Sequence, residues 1–442
     1  MPFYYGYVML VPVMAIQIAS SPGQTFAFSA FTPSFREDLG IDDVRLTLAY
    51  ALGTLLAAVP LMAIGPAVDR YGPRRVSIIL IAVLAAASYA ASAVNSWASL
   101  FATFLLLRFL GQGSMGMLAG HTLSMWFRRR VGRMGAVLAV GGALAFGMIP
   151  GLVKQSIADQ GWRSTFQMMG IAVAAGALPL VVLMLRDRPE DVGQTLDGVT
   201  ESSDSTNSHD AHKSKPGNAP EVSIPFAAAV RTAAFPIIGL ISAAWAMIGT
   251  ALVFYLYPIG QSLGLADATT NGLFAWFAVL MLVGQLAGGV AIDFVPPQRL
   301  LCGGVTMLTI GVAVLWAACA GVPPSNGLIV ETTNPGGPVW GLSATAAMRC
   351  FAMAFGGGQG LLIAVTSAVW VKYYGRESLG KIRGAVWTAT VAGSGTGPLL
   401  IGSWLQYRGD FATPIAAFAI GLAVMVPLSL WATRPRSCIF DA

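Results

Sequence analysis

The chain has 442 residues, of which 55% are apolar and 10% charged, with a formal net charge of +6. A soluble domain carries about 25% charged residues, so there are too few here to solvate a water-exposed surface. The basic residues form short clusters between apolar runs with no interleaved aromatic stripe, which argues against a nucleic-acid partner.

A bilayer core about 30 Å thick needs about 20 apolar residues in helix. Twelve runs of that order are present. In the first part of the chain they lie near 7–33, 45–68, 75–93, 98–126, 134–155 and 164–185, and in the second near 232–259, 268–293, 299–320, 341–371, 382–405 and 411–432. Met1 to Tyr7 has no Lys or Arg and no small-residue cleavage site, so the first run is expected to stay as a helix. Arg186 to Pro225 is polar and has no apolar period, which predicts a flexible cytoplasmic linker. The organisation expected is a bundle over 1–185, a linker over 186–230 and a second bundle over 231–442. Gly321 to Pro338, rich in Gly, Pro and Asn, predicts an external loop. Cys302, Cys319, Cys350 and Cys438 lack paired or metal-ligand spacing.

Cytoplasmic loops retain an excess of Lys and Arg. With the N-terminus inside, nineteen of the 26 Lys and Arg fall on the inner side and five on the outer. A multi-pass protein of the cell membrane with both termini cytoplasmic is therefore expected. Its fold class is all-α, with twelve transmembrane helices in two pseudo-symmetric six-helix bundles.

The two halves echo one another, as the internal repeats of secondary transporters do. Gly65-x-x-x-Asp69 follows the second run and Gly289-x-x-x-Asp293 follows the eighth. Arg108 begins a Gly-rich helix ending at Trp126, and Arg349 begins one ending at Trp370. Gly135-Ala136 and Gly384-Ala385 open the next helix in each half.

The segment Gly65-x-x-x-Asp69-Arg70-x-Gly72-x-Arg74-Arg75 matches the loop signature of the major facilitator superfamily at every fixed position. The chain resembles that superfamily over essentially its whole length. Arg108-Phe-Leu-Gly-Gln112-Gly113 is similar to its fourth-helix motif, and Gly141 to Gly151 to its fifth. Tyr5-Gly6-Tyr7, Trp126-Phe127-Arg-Arg-Arg, Gly161-Trp162-Arg163 and Arg186 to Gly193 resemble the bacterial branch related to monocarboxylate transporters and oxalate/formate exchangers. That branch carries a substrate-binding basic residue on its eighth helix. Here Asn271 to Asp293 has none, and Ala385 to Leu405 lacks the exchanger's eleventh-helix Lys.

The signature loop has its own physical logic. At the inner end of a helix, the Asp69 carboxylate meets the negative end of the dipole and needs a cationic or amide partner. Arg70, Arg74 and Arg75 are at hand, and with Gly65 and Gly72 they compose either a gating cluster or a topology anchor. Asp293 is its counterpart, with Pro296 and Pro297 altering the turn.

An Arg within a membrane helix costs about 2.5 to 3.5 kcal/mol at the centre, so Arg108 and Arg349 mark a solute path unless they snorkel or bond to backbone carbonyls. Two cavity-facing guanidiniums with no carboxylate in any apolar run suit an organic anion. Gln24, Gln112 and Gln359 are further candidates for solute binding, as are Tyr257 and Trp387, with Gln17, Gln285, Trp245, Tyr255 and Trp276 as other polar or aromatic groups at membrane depth. His121 lies near the inner interface, where a proton relay is conceivable. The glycine runs follow no strand and read as helix-packing surfaces, not phosphate loops.

These features favour a monomeric secondary transporter for a small organic anion such as a monocarboxylate, coupled to a proton or a counter-anion. No cofactor, no metal site and no enzymatic cluster of His, Asp, Glu or Cys is expected. Efflux of a drug or metabolite is the first alternative and would call for an embedded acid. A non-transporting membrane sensor is the second.

Overall fold

The computed structural model describes residues 4–61, 63–127, 131–195, 224–321, 343–375 and 379–435. Among these residues every regular element is helical. The first span, α1, comprises Gly6–Ala19 and Thr25–Leu39 joined through one 3₁₀ turn at Ser21–Gly23. It is followed by α2 (Asp43–Leu61), a short helix Ile64–Tyr71, α3 (Pro73–Ala90) and α4 (Trp97–Trp126 overall). The continuous stretch Val131–Met184 is two spans, because Gly161 at φ 81° breaks it into α5 (131–160) and α6 (162–184). A left-handed residue cannot continue a right-handed helix, and glycine adopts that conformation without a Cβ penalty.

The second half repeats the plan with α7 (Ala234–Phe254, extended by Leu256–Ser262), α8 (Asp267–Ala291), α9 (Pro297–Ala320), α10 (Ala344–Tyr374), α11 (Leu379–Arg408) and α12 (Ala412–Leu430). Ten helices are long and apolar enough to cross a bilayer, one of them being the uninterrupted α5–α6 stretch. The twelfth span is α11, whose 30 residues include Thr388, Thr390, Ser394 and Thr396 interspersed with Gly393, Gly395 and Gly397. The expected boundaries hold to within a few residues. The external loop foreseen at Gly321 to Pro338 lies outside the described residues, except for Gly321, and so does most of the linker.

Within the N-terminal half α3 packs on α6, α2 on α4, and α1 on both α5 and α6. Within the C-terminal half α10 packs on α8 and α9, α9 on α12, and α7 on α11. Two seams join the halves, α2 against α11 and α5 against α8. Exchanging the halves turns one seam into the other, which is the two-fold relation predicted by the repeats.

Small residues set these distances, as expected where lipid supplies no hydrophobic drive between helices. A Cβ on Gly397 would stand 2.1 Å from the Met247 carbonyl of α7, and one on Gly23 only 2.0 Å from the Leu107 carbonyl of α4. Those backbones touch because no side chain intervenes.

One face of the molecule carries the Gly65–Arg75 loop and the chain's first helical turn, and is called the motif face below. There the leading segment of each half is strapped to the end of a long helix. Tyr5 Oη donates to Met184 O at 2.8 Å, Trp126 Nε1 to Arg186 O at 3.3 Å, and Tyr4 Oη to Trp126 O. In the second half Ile224 N donates to Tyr374 O at 3.0 Å, and Thr232 Oγ1 lies 2.6 Å from Tyr374 Oη. Three segments that resembled the monocarboxylate and oxalate branch, around Tyr5, Trp126 and Arg186, thus meet at one place.

Candidate functional site: a cavity between the halves

A cavity of about 420 Å³ lies between the halves. The seams close it on the face opposite the motif. Phe146 of α5 packs on Phe274 and Phe277 of α8, and Tyr50 of α2 on Phe254 of α7. Lys154 pairs with Asp267 at 3.0 Å across the α5–α8 seam and lies 5.1 Å from the Tyr257 ring centroid. Tyr257 Oη bonds to Asn271 Oδ1 and lies 3.4 Å from Pro150 O. Lining residues such as Gly135 and Trp387 come from the motif-face ends of α5 and α11, so the cavity extends toward that face. The conformation is closed on one side and accessible from the other.

The polar lining consists of Gln17, Ser20, Gln24, Thr25 and Gln112 from the first half, and Thr250, Gln285, Gln359, Thr390 and Ser394 from the second. Phe26 and Phe146 from the first half and Trp245 and Trp387 from the second are its aromatic members. Among the described residues no charged side chain lines the cavity.

Gln112 and Gln359 occupy matching places. Each stands in a Gly-Gln-Gly triplet, 111–113 on α4 and 358–360 on α10. A Cβ on Gly111 would meet Gly23 Cα at 2.8 Å, and one on Gly360 would meet Met281 O at 2.0 Å. The flanking glycines press each helix onto its neighbour while the glutamine between them reaches the cavity. The α4 triplet lies in a π-helical segment, Arg108–Met115, and α10 is regular throughout. Such π segments recur at functional sites.

Arg108 stands one layer behind the lining, 2% exposed. Its Nε donates to Thr54 Oγ1 at 3.0 Å, Nη1 to Gly23 O at 3.3 Å and Thr25 Oγ1 at 3.2 Å, and Nη2 to Ser394 Oγ at 3.4 Å. The Tyr50 ring centroid is 4.9 Å from the guanidinium carbon. All these partners are neutral. Thr25 and Ser394 themselves line the cavity, and the bond to Ser394, which belongs to the other half, is the longest of the four.

Gln24 and Trp387 line the cavity with Gln112 and Gln359, and Tyr257 and Arg349 lie outside it. Tyr257 is fully buried, on the short helix Leu256–Ser262 that follows the break at Tyr255, with its hydroxyl bonded to Asn271 of α8. Arg349 is exposed within the first two turns of α10. Its spacing from the glutamine explains the difference, since Arg108 precedes Gln112 by four residues and Arg349 precedes Gln359 by ten.

The signature loop engages the end of α6. The Asp187 carboxylate accepts Arg74 N–H at 2.8 Å at the N-terminus of α3, and Arg74 Nη2 donates to Val182 O at 2.7 Å near the C-terminus of α6. Acid and base each meet the favourable end of a helix dipole. Gly72 has φ 81°, and a Cβ there would meet Asp187 Oδ1 at 2.7 Å. Gly65, Arg70 and Arg75 lie on the same loop, with Arg70 over Tyr71, and the Asp69 side chain is outside the described residues. In the second half Asp293 pairs with Lys372 at 3.2 Å, and Lys372 Nζ also donates to Ile292 O at 2.6 Å.

Sequence reasoning passed over Asp187, Lys154, Asp267 and Asp43. Asp43 is 3% exposed in the first turn of α2 and pairs with Arg36 at 3.2 Å. In the sequence the apolar run begins only at residue 45, whereas the helix begins at Asp43 itself. Asp187 was visible within the Arg186–Gly193 motif, but its partner Arg74 is 113 residues away.

The crystal structure of a mutant of the nucleoside transporter NupG resembles the chain with a TM-score of 0.67, covering 97% of this chain and 99% of that one at 11% identity. This likeness is one of fold. The riboflavin transporter RibJ of Trypanosoma brucei brucei (strain 927/4 GUTat10.1) is 27% identical over 202 residues, which are 44% of this chain and 36% of that protein. The match thus spans about a third of that relative's length. The family profile of the Major Facilitator Superfamily covers residues 13–352. Two related helical halves around a shared cavity, together with that match, make this chain a member of the Major Facilitator Superfamily.

Proposed function

We propose that the protein carries a small organic anion across the cell membrane by alternating access, the halves 1–185 and 231–442 rocking about the α2–α11 and α5–α8 seams. The observation that carries this reading is Arg108, a buried cation whose described partners are all neutral. An uncompensated positive charge beside a low-dielectric cavity attracts an anion more strongly than it would in water. A carboxylate that displaces Ser394 from Nη2 exchanges a 3.4 Å bond for a charge-assisted one. Because Ser394 belongs to α11, the same exchange loosens a tie between the halves, which couples binding to movement. With no acid in the lining among the described residues, the anion brings its own proton or leaves in exchange for another anion. The distribution of Lys and Arg supports a cytoplasmic motif face with both termini on that side, and the reading takes the working unit to be a monomer.

A second reading, transport of a neutral solute, is favoured by the absence of charged groups from the lining itself. The two similar proteins named above are described as transporters of riboflavin and of nucleosides. Uptake by proteoliposomes of the wild type, Arg108→Lys and Arg108→Ala separates the two. Anion transport predicts severe loss in Arg108→Ala and partial retention in Arg108→Lys. Undiminished carboxylate uptake by both variants would overturn it.

A further inference from the structure

We infer that the solute is a planar heterocycle with lactam- or imide-type edges, and that Gln17, Gln112, Gln285 and Gln359 read those edges. The inference rests on the cavity being the solute site and deepens the reading of an organic anion by naming the frame that carries the charge.

These four glutamines come from α1, α4, α8 and α10, two from each half, and all line the cavity. Among the described residues none of the four makes a side-chain hydrogen bond to protein, whereas the fifth lining glutamine, Gln24, donates to Ser20 Oγ at 3.0 Å. Among the described residues Gln112 Oε1 is buried without a partner, and so is Nε1 of another lining residue, Trp245. An unsatisfied buried polar atom costs about 1 to 3 kcal/mol, so a ligand that draws these side chains round to itself replaces unmade bonds with made ones.

A carboxamide presents a donor and an acceptor side by side in one plane. Its complement is the same pair reversed, an N–H beside a C=O, which is the edge of a lactam, imide or amide. An ionised short-chain acid has acceptors only and no such edge, and an ionised hydrocarbon ring acid has none either. Two amides on each side of the cavity suit a ring with two such edges, held by both halves at once. Trp245 and Trp387 from the second half and Phe26 and Phe146 from the first supply flat apolar surfaces for a ring. The cavity, about 420 Å³, falls in the range of roughly 300 to 1,000 Å³ that encloses ring-sized ligands.

Four probes test this on the purified full-length protein, with affinity measured by calorimetry at one pH. Orotate carries a carboxylate and imide edges, uracil the edges alone, benzoate the carboxylate and a plain ring, and lactate the carboxylate alone. Orotate is expected to bind at least tenfold more tightly than benzoate or lactate. Gln359→Met and Trp245→Phe are expected to weaken orotate about tenfold, the loss of one hydrogen bond to a buried group, while leaving benzoate binding and the melting temperature of the unliganded protein unchanged. Benzoate or lactate binding as tightly as orotate would overturn the inference, as would failure of both orotate and uracil to bind, or equal loss of orotate and benzoate in the variants. Uracil binding as tightly as orotate would leave the inference standing and overturn the anionic reading of Arg108.

Discussion

The Gly-Gln-Gly segments of α4 and α10 occupy equivalent places in the two halves, yet their surroundings differ. On α4 the triplet lies in a π-helical stretch with a buried arginine four residues before the glutamine. On α10 the helix is regular, and the arginine that seemed its counterpart is exposed near the helix start. The repeat has therefore kept its packing and its amide while charge remains in one half only. On the proposed rocking of the halves, close-packed glycines serve both of them, because each must slide without losing contact. A single cation is enough to attract an anion, and a second would have to be stripped of water on every closure.

The sharpest way to break this comparison is to remove each arginine in turn. Arg108→Ala should reduce uptake by at least about 100-fold, the loss of a charge-assisted contact to the solute, whereas Arg349→Ala should stay within about twofold. Equal losses would mean that both arginines serve the solute path.

Next in size is the packing that the halves share. Gly360→Ala drives a methyl into the Met281 carbonyl and should destabilise the folded protein by about 1 to 3 kcal/mol in a detergent unfolding assay. Gly116→Ala, where a Cβ meets nothing within 4 Å, should be neutral or slightly stabilising in the same assay.

The two loops on the motif face offer a third contrast. Gly72→Ala forces an L-residue to φ 81° against the Asp187 carboxylate, and Asp187→Ala removes the acceptor for Arg74 N–H, so each should cost about 1 to 2 kcal/mol. Asp293→Asn disturbs an ion pair that is largely exposed on both sides and should cost under about 1 kcal/mol. A larger effect at Asp293 than at Asp187 would reverse this ranking of the two loops.

The smallest effect belongs to the closed face. Asp267→Asn breaks the partly exposed pair with Lys154 that crosses the α5–α8 seam. It should raise the labelling rate of a cysteine placed at Asn271 by no more than about fivefold, the equivalent of about 1 kcal/mol. The charge swap Lys154→Asp with Asp267→Lys, made in place of Asp267→Asn, should keep the original rate.

The order and number of spans were legible in the sequence because a bilayer imposes one length and one composition on each of them. The signature Gly65–Arg75 was legible for a related reason, since turn glycine and charge occur together in a short stretch. Depth was harder to read. Arg108 and Arg349 both follow an apolar beginning, but whether such a residue faces a cavity depends on where the helix starts and what it leans on. Tyr257 looked like a membrane aromatic because the apolar run extends past the turn at Tyr255. Asp187 and Arg74 illustrate the remaining difficulty, as each is unremarkable until the fold brings α3 and the end of α6 together. The glutamines were visible one by one, but their freedom from other hydrogen bonds depends on the packing of every helix around them.

The modest apolarity of α11 has a consequence for how the protein is made. A segment that intersperses threonine, serine and glycine with its apolar residues gains little by entering lipid alone, and its cavity-facing side gains least. Its glycines fit against carbonyls of α7, which is synthesised more than a hundred residues earlier. Membrane insertion of α11 therefore depends on a helix already in place to receive it. Disturbance of the α7 surface would then show itself at biogenesis, as chain that fails to integrate and is degraded, before any defect in transport could be measured.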